Sequence, residues 1–507
     1  MPLNEILPKA IRLWPKKEAV VCGNVRLSYE EFGKRVASFC NVLKRLGLKK
    51  GERIGIIHEN CHRFLEAYFS AAHIGAILVP INIRLSPAEM KMIIEDSGLR
   101  LLIVQDKFKE QIDKIGKKID VIWCPEEYEM LLKKESSDSL PQIDLKDDDI
   151  AQLYYTSGTT GRPKGVILTH KNVKVHALGT IAELHLTEKD NWIHAAPLFH
   201  LADAWATFSI TWVGGKHVLI PRFDAGLVLR MIEKEKITIT NLIPTMLNLM
   251  VNHPDVKKYD YSSLRVLMSG GAPIAFELVK KTVETFGCDY IQTYGMTETS
   301  PYLTMSILKE HLEKLPYEEK LRYKAKTGRE FITVSLRVVD EDGRDVKRDG
   351  KQVGEIIVKG DTITPGYWNL PEETRNTIKD GWLYTGDLAT IDPEGYVQIV
   401  DRKKDMIITG GENVYSVEVE NVLYMHPAVL EAAVIGVPDE KWGEAVKAVV
   451  VLKEGYSVSE KELIDFCKKH LSSYKVPKSI DFVDSLPKTG SGKIYKKALR
   501  ERYWKKT

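Results

Sequence analysis

Residues 155–166 read Tyr-Thr-Ser-Gly-Thr-Thr-Gly-Arg-Pro-Lys-Gly-Val, with three glycines, four Ser/Thr hydroxyls and two cations in twelve positions. Glycine and proline at this density exclude a helix interior or a packed strand. The apolar run Ile150–Tyr155 before the segment and Gly165–Thr169 after it read as strands. A glycine-rich loop between two strands is a hairpin whose backbone N–H groups, hydroxyls and Lys164 can wrap a polyphosphate. The plain alternative is an exposed surface loop. A Walker loop is excluded, because that motif needs Gly-Lys-Ser/Thr opening a helix. Here Gly161 and Lys164 are three apart and Gly165 follows the lysine; Gly490-Ser-Gly-Lys-Ile494 also lacks the hydroxyl.

At 507 residues the chain calls for two or three domains. A net charge of +3 is too small to argue for nucleic acid. The start, Met1-Pro-Leu-Asn-Glu, lacks the order of a signal peptide, and no apolar run approaches the roughly 18 residues of a spanning helix. The six scattered cysteines form no Cys-x-x-Cys pair, so they read as reduced thiols of a cytoplasmic protein.

Residues 18–125 alternate apolar runs (Arg53–Ile57, Ile77–Pro80, Leu101–Val104) with helical stretches at 62–74 and 87–97, the latter opened by Ser86-Pro87. The rhythm returns over 190–295, with strands at 218–220 and 264–268. Such alternation predicts α/β layers with mainly parallel sheets. The polar stretch 133–149 reads as a connector. Residues 330–400 shift to short strands and turns, a β-rich subdomain. After the charged run Asp401-Arg-Lys-Lys-Asp405, strands at 431–435 and 446–452 and a helix at 459–471 predict a small α+β domain.

Four further segments carry chemistry only in combination. Ser269-Gly-Gly-Ala-Pro273 is a tight turn that a flat ring could approach; alone it is ordinary turn chemistry. Tyr294-Gly-Met-Thr-Glu-Thr299 offers an aromatic face, a hydroxyl and a carboxylate. Gly381-Trp-Leu-Tyr-Thr-Gly-Asp387 ends on a carboxylate suited to two ribose hydroxyls. Pro487-Lys-Thr-Gly-Ser-Gly-Lys493 is a second lysine-bearing loop.

In this order, from Leu27-Ser-Tyr-Glu-Glu-Phe32 to Lys493, the motifs resemble the adenylate-forming superfamily: acyl-CoA synthetases, adenylation domains of peptide synthetases and beetle luciferases. The resemblance implies a large N-terminal domain, 1–401, with two α/β sheet subdomains and a β-rich one. A small mobile α+β domain, 402–507, would turn about a hinge near Lys404. Thr156, Ser157, Gly158, Thr159, Thr160, Gly161 and Lys164 would hold the β- and γ-phosphates of ATP. Gly271, Ala272 and Pro273 would pack on the adenine opposite Tyr294, with Gly295 and Met296 beside it. Thr297 would bind the α-phosphate, Glu298 would ligate Mg²⁺, Asp387 and Arg402 would hold the ribose, and Lys493 would reach the α-phosphate. After rotation Gly410 and Gly411 would line the pantetheine tunnel of CoA, with Tyr474 on its adenine and Lys475 or Lys478 near its phosphates.

Pro197-Leu-Phe-His-Leu-Ala-Asp-Ala-Trp205 matches the entrance of the acyl pocket, with His200 flanking the carboxylate. Trp205 would gate or cap an acyl tunnel, or simply pack in the core. Asp203 raises the alternative of amino-acid adenylation, although it stands three residues beyond the expected position. The resemblance is greatest to medium- and long-chain fatty acid–CoA ligases, with aromatic or short branched acids as alternatives. The partners implied are a small carboxylic acid, ATP and CoA, with homodimerisation left open.

Overall fold

The structure is a computed structural model that describes residues 2–116, 119–157, 163–488 and 494–504. Two large sheets of mainly parallel strands form the frame. The first has six strands in the order Asp120–Cys124, Leu101–Gln105, Arg53–Ile57, Ile77–Pro80, Ile150–Ser157 and Pro163–Thr169. All its pairs are parallel except the last, a hairpin in which Thr156 faces Lys164. The second has nine strands, and its interior set (289–295, 266–269, 239–242, 191–194, 216–219 and 18–22) is parallel. Antiparallel strands Tyr302–Met305 and Val25–Ser28 flank that set.

Glu18–Cys22 and Val25–Ser28 stand apart from the later strands of the 18–125 stretch. Glu18–Cys22 pairs with Lys216–Leu219 in the second sheet and carries Val25–Ser28 on its other side, whereas the next strand, Arg53–Ile57, builds the first. Nothing local in a short apolar run selects between two such sheets.

Between the sheets lies the helix His62–Ile74, buried along nearly its whole length. Phe64, Leu65 and Phe69 are fully enclosed, each contributing about 1.5–3 kcal/mol of apolar burial. Ala67, Ser70, Ala71 and Ala72 keep the other faces small enough for a two-sided fit. Gly75 ends the helix at φ +70°, a left-handed conformation that costs glycine nothing. The predicted start at Ser86 is a full capping box: Ser86 Oγ accepts from Glu89 N, and the Glu89 carboxylate accepts from Ser86 N.

The β-rich part is an antiparallel sheet of Val334–Val339, Gly354–Gly360, Trp382–Ile391 and Ile378–Lys379, with Val397–Arg402 added beside Trp382–Ile391. A separate C-terminal domain follows, built on Ile407–Thr409, Glu412–Val414, Val429–Asp439, Gly443–Leu452 and Ser479–Phe482. Its own core includes Val419, Leu423, Val434, Ala448 and Leu463. Among the described residues no helix is long and apolar enough to cross a membrane.

Candidate active site

Ligand crevices in parallel sheets form outside the carboxyl ends of the strands, and the segments 269–273 and 294–299 stand at such ends. Val266–Ser269 ends in the turn Gly270–Pro273, and Asp289–Gly295 runs into a short 3₁₀ turn at Thr297–Thr299. Gly271 sits at φ +83°, and a Cβ on Gly270 would strike the hydroxyl and carbonyl of Thr293. Gln292 Nε2 donates to Ala272 O at 3.1 Å and Thr293 Oγ1 to Ser269 O at 3.0 Å, pinning the turn against the neighbouring strand. A Cβ on Gly295 would run into the Pro301 carbonyl, so this stretch tolerates only a bare backbone.

Asp387 enters the crevice from the antiparallel sheet. Tyr294 donates its phenol to Asp387 Oδ2 at 2.7 Å, and Arg402 Nε lies 3.2 Å from Oδ1. Arg402 stands directly opposite Asp387 in the strand register, which explains the pairing of the two side chains. Burial, reinforced by the Asp387 charge, pushes the Tyr294 phenol well above its ordinary value. Asp387 likewise holds the Arg402 guanidinium above its own. Each carboxylate oxygen keeps a lone pair after these contacts, enough to accept from a diol.

The phosphate-binding candidate is the hairpin Ile150–Ser157/Pro163–Thr169. Gly158, Thr159, Thr160 and Gly161 fall outside the described residues, as does Lys493. Lys164 is ion-paired with Glu373, and its Nζ lies 5.7 Å from the centroid of the Tyr367 ring. Tyr367 donates its hydroxyl to Glu298 Oε1 at 2.9 Å. The segment around Tyr367 is laid along the hairpin through Trp368 N to Gly165 O (2.7 Å) and Ile167 N to Gly366 O (3.1 Å). It also receives Glu298, whose carbonyl accepts from Thr364 N at 2.8 Å. Burial raises the Glu298 carboxyl, while Tyr367, Arg402 and Lys164 pull it back down. One tyrosine thus joins the lysine and the carboxylate that the sequence placed in separate motifs.

Tyr367, Glu373 and Gln292 are the residues that sequence reasoning missed. Gly366-Tyr-Trp368 is a visible aromatic turn, but its docking on a hairpin some two hundred positions away is a tertiary event with no local signal.

In the segment 197–205, His200 precedes the short helix Leu201–Ala204, its ring 4.8 Å from that of Phe199. Asp203 is fully buried, accepting from Trp192 Nε1 at 3.1 Å and pairing with His194 Nδ1 at 2.7 Å. The chain continues from His194 Nε2 to His217 Nδ1 (3.0 Å) and from His217 Nε2 to Thr211 Oγ1 (2.9 Å). Both Asp203 oxygens are therefore engaged inside the fold, where burial raises the carboxyl and His194 opposes the shift. Trp205 is 3 % exposed and packs edge-on against Trp192, His176 and Tyr302. Beside it a cavity of about 10 Å³ is lined by Leu201, Ala204, Phe208, Gln152, His176 and Ser300.

The C-terminal residues stand apart from this cluster. Gly410 and Gly411 form the exposed tip of the Ile407–Thr409/Glu412–Val414 hairpin, held by Gly410 N to Trp442 O at 2.8 Å. Tyr474 is 37 % exposed, and Lys475 beside it is paired with both oxygens of Glu418 at 2.7 and 2.8 Å.

Residues 7–368 match the family described as AMP-binding enzyme, and residues 418–493 match AMP-binding enzyme C-terminal domain. The chain belongs to that family, among the acyl-CoA synthetases of the adenylate-forming superfamily. It is 38% identical over 493 residues to a feruloyl-CoA synthase of Amycolatopsis sp, covering 97% of each chain. It is 35% identical over 491 residues to the long-chain-fatty-acid–CoA ligase FadD13 of Mycobacterium tuberculosis, covering 95% of this chain and 94% of that one. Among solved structures it is similar to the o-succinylbenzoate CoA synthetase of Bacillus subtilis in complex with an acyl-adenylate intermediate. That match has a TM-score of 0.86 at 31% identity and covers 99% of this chain and 98% of that one.

Proposed function

We propose that this chain is an AMP-forming acid–CoA ligase. A carboxylate attacks the α-phosphorus of ATP, pyrophosphate leaves, and the CoA thiol then displaces AMP from the acyl-adenylate. The reading rests above all on one observation: Tyr294, Asp387 and Arg402 form one cluster, and Glu298, Tyr367 and Lys164 another, around the same strand ends. Asp387 takes the ribose, Gly271–Pro273 the adenine edge, and the hairpin with Lys164 the departing pyrophosphate. Both reactants are anions, so the rate is set by positioning and by charge placed where it develops. Lys164 is held by Glu373, and polyphosphate would compete for its ammonium.

Among the described residues no three acidic, His or Cys side chains cluster as a metal cage. A single buried carboxylate beside a phosphate loop nevertheless suits Mg²⁺, which keeps waters and phosphate oxygens as its other ligands. Glu298 would hold that ion, whose chemistry is neutralisation of phosphate charge. Thr297 faces the α-phosphate and Lys493 completes the clamp. The small domain, from 402 onward, turns near Lys404 between the half-reactions and brings Gly410, Gly411 and Tyr474 to CoA.

We assign the acid to the medium- and long-chain fatty class, with Trp205 as the closed gate of the tunnel. A compact aromatic acid is the second reading, favoured by how completely Trp205 and its neighbours fill the interior. Engagement of Asp203 by Trp192 and His194 weighs against an amino acid. The test is acid-dependent pyrophosphate release across fatty, aromatic and amino acids, with AMP release measured on adding CoA. Turnover of octanoate or longer acids that rises relative to shorter acids in Trp205→Ala supports the gate; turnover confined to aromatic acids selects the second reading.

A further inference from the structure

Two sets of bonds meet at Lys404. On its N-terminal side Lys403 N donates to Gly386 O at 2.9 Å, and Lys403 Nζ lies 3.3 Å from Glu355 Oε2. The chain is thus tied to the antiparallel sheet through residue 403. On its C-terminal side Arg500, in the last helix Lys496–Trp504, donates to Lys404 O at 2.7 Å and to Asp405 Oδ1 at 2.5 Å. The Lys404 carbonyl and the Asp405 side chain are thus tied to the C-terminal domain, while Asp405 N and Met406 N donate back to Arg402 O at 2.8 and 3.0 Å, so rotation about Lys404 has to break bonds of this turn.

One buried charge reaches across that pivot. Asp401 lies in the strand Val397–Arg402, 2 % exposed, opposite Leu388. Its Oδ2 accepts from Ser416 N at 2.5 Å and from Ser416 Oγ at 2.7 Å. Ser416 opens the helix Ser416–Tyr424, so the carboxylate also sits at a helix N-terminus, where negative charge is favoured. Lys496 donates to Ser416 Oγ at 2.6 Å and pairs with Glu420 at 2.7 Å. A carboxylate with hydrogen bonds this specific cannot follow Ser416 through a large rotation about Lys404.

We propose that Asp401 is the latch that holds the C-terminal domain in the orientation seen here, and so acts as a positioning residue for the adenylation half-reaction. The inference rests on the acid–CoA ligase reading, in which Gly410 and Gly411 meet the crevice only for thioester formation. In the present orientation both are exposed. Asp401 must release Ser416 before the domain turns.

The test uses the full chain with Asp401→Ala, which removes the acceptor for both Ser416 donors, and, to leave the strand beside Arg402 untouched, Ser416→Pro, which removes the N–H and the hydroxyl at the first position of the helix. Pyrophosphate release from acid and ATP is measured separately from thioester formation with supplied acyl-adenylate and CoA. In parallel, spin labels at Glu341→Cys and Glu454→Cys, in a Cys22→Ser background, report the distance between domains. The latch predicts that adenylation falls on the order of tenfold relative to thioester formation, and that the distance distribution shifts or broadens. Distances identical to wild type overturn the latch. Shifted distances with both half-reactions changed equally overturn its assignment to adenylation. If the wild type releases no pyrophosphate with any acid, the ligase reading fails, and the distance measurement still decides the latch.

Discussion

Tyr294 and Asp387, 93 residues apart in sequence, share a 2.7 Å hydrogen bond that ties the second parallel sheet to the antiparallel one at the mouth of the crevice. Hydrogen bonds to a charged acceptor are worth about 1.5–3 kcal/mol. Tyr294→Phe should therefore raise the KM for ATP by about tenfold or more with a smaller change in kcat, since Arg402 still holds the carboxylate. Initial rates at varied ATP check this; an unchanged KM would remove Asp387 from the nucleotide site.

The bond between Tyr367 and Glu298 leads to a pH prediction. Burial raises the Glu298 carboxyl, and Tyr367 favours its charged form. Removing the phenol in Tyr367→Phe should move the acid limb of the pH–rate profile upward. The profile of kcat/KM between pH 5 and 8 is the measurement, and a limb that stays in place contradicts the role given to Tyr367.

Stability follows the same group with a definite sign. A carboxyl whose folded value is raised contributes stability that is complete below its unfolded value and is lost as pH rises through the folded one. Glu298→Gln cannot ionise, so it should melt at a higher temperature than wild type at pH 8 and show little gain near pH 4. The same variant should lose adenylation by about 10²–10³. Thermal unfolding at the two pH values, alongside pyrophosphate release, tests both halves.

Asp203 separates a structural from a substrate-binding role. In Asp203→Asn the amide can still accept from Trp192, and its NH₂ can donate to His194 if the two imidazoles exchange tautomers and donate onward to His217 and Thr211. Asp203→Ala leaves Trp192 Nε1 and His194 Nδ1 buried without an acceptor, a loss of about 1–3 kcal/mol for each unsatisfied group. Chemical denaturation should find the asparagine variant close to wild type and the alanine variant clearly weaker, with no change in acid preference for the former.

The strands at 53–57, 77–80 and 101–105 were legible because short, apolar, β-branched runs bounded by glycine and polar residues have one natural conformation. The motifs at 269–273, 294–299 and 387 stood out only by their joint order along the chain, and the structure brings Tyr294 and Asp387 into contact. What was hidden is how the pieces meet. Glu18–Cys22 joins the far sheet, Tyr367 bridges Lys164 and Glu298, and the carboxylate of Asp203 turns inward to His194. Each is a pairing between distant segments, decided by packing rather than by local propensity.

The central claim is that these residues form an adenylating crevice that breaks the α–β bond of ATP. The most direct measurement is acid-dependent exchange of labelled pyrophosphate into ATP, in the wild type and in Glu298→Gln. Exchange that requires a carboxylic acid and falls by about two to three orders of magnitude in the variant is the predicted result. Acid-independent cleavage to ADP and phosphate, or exchange indifferent to Glu298, would contradict it.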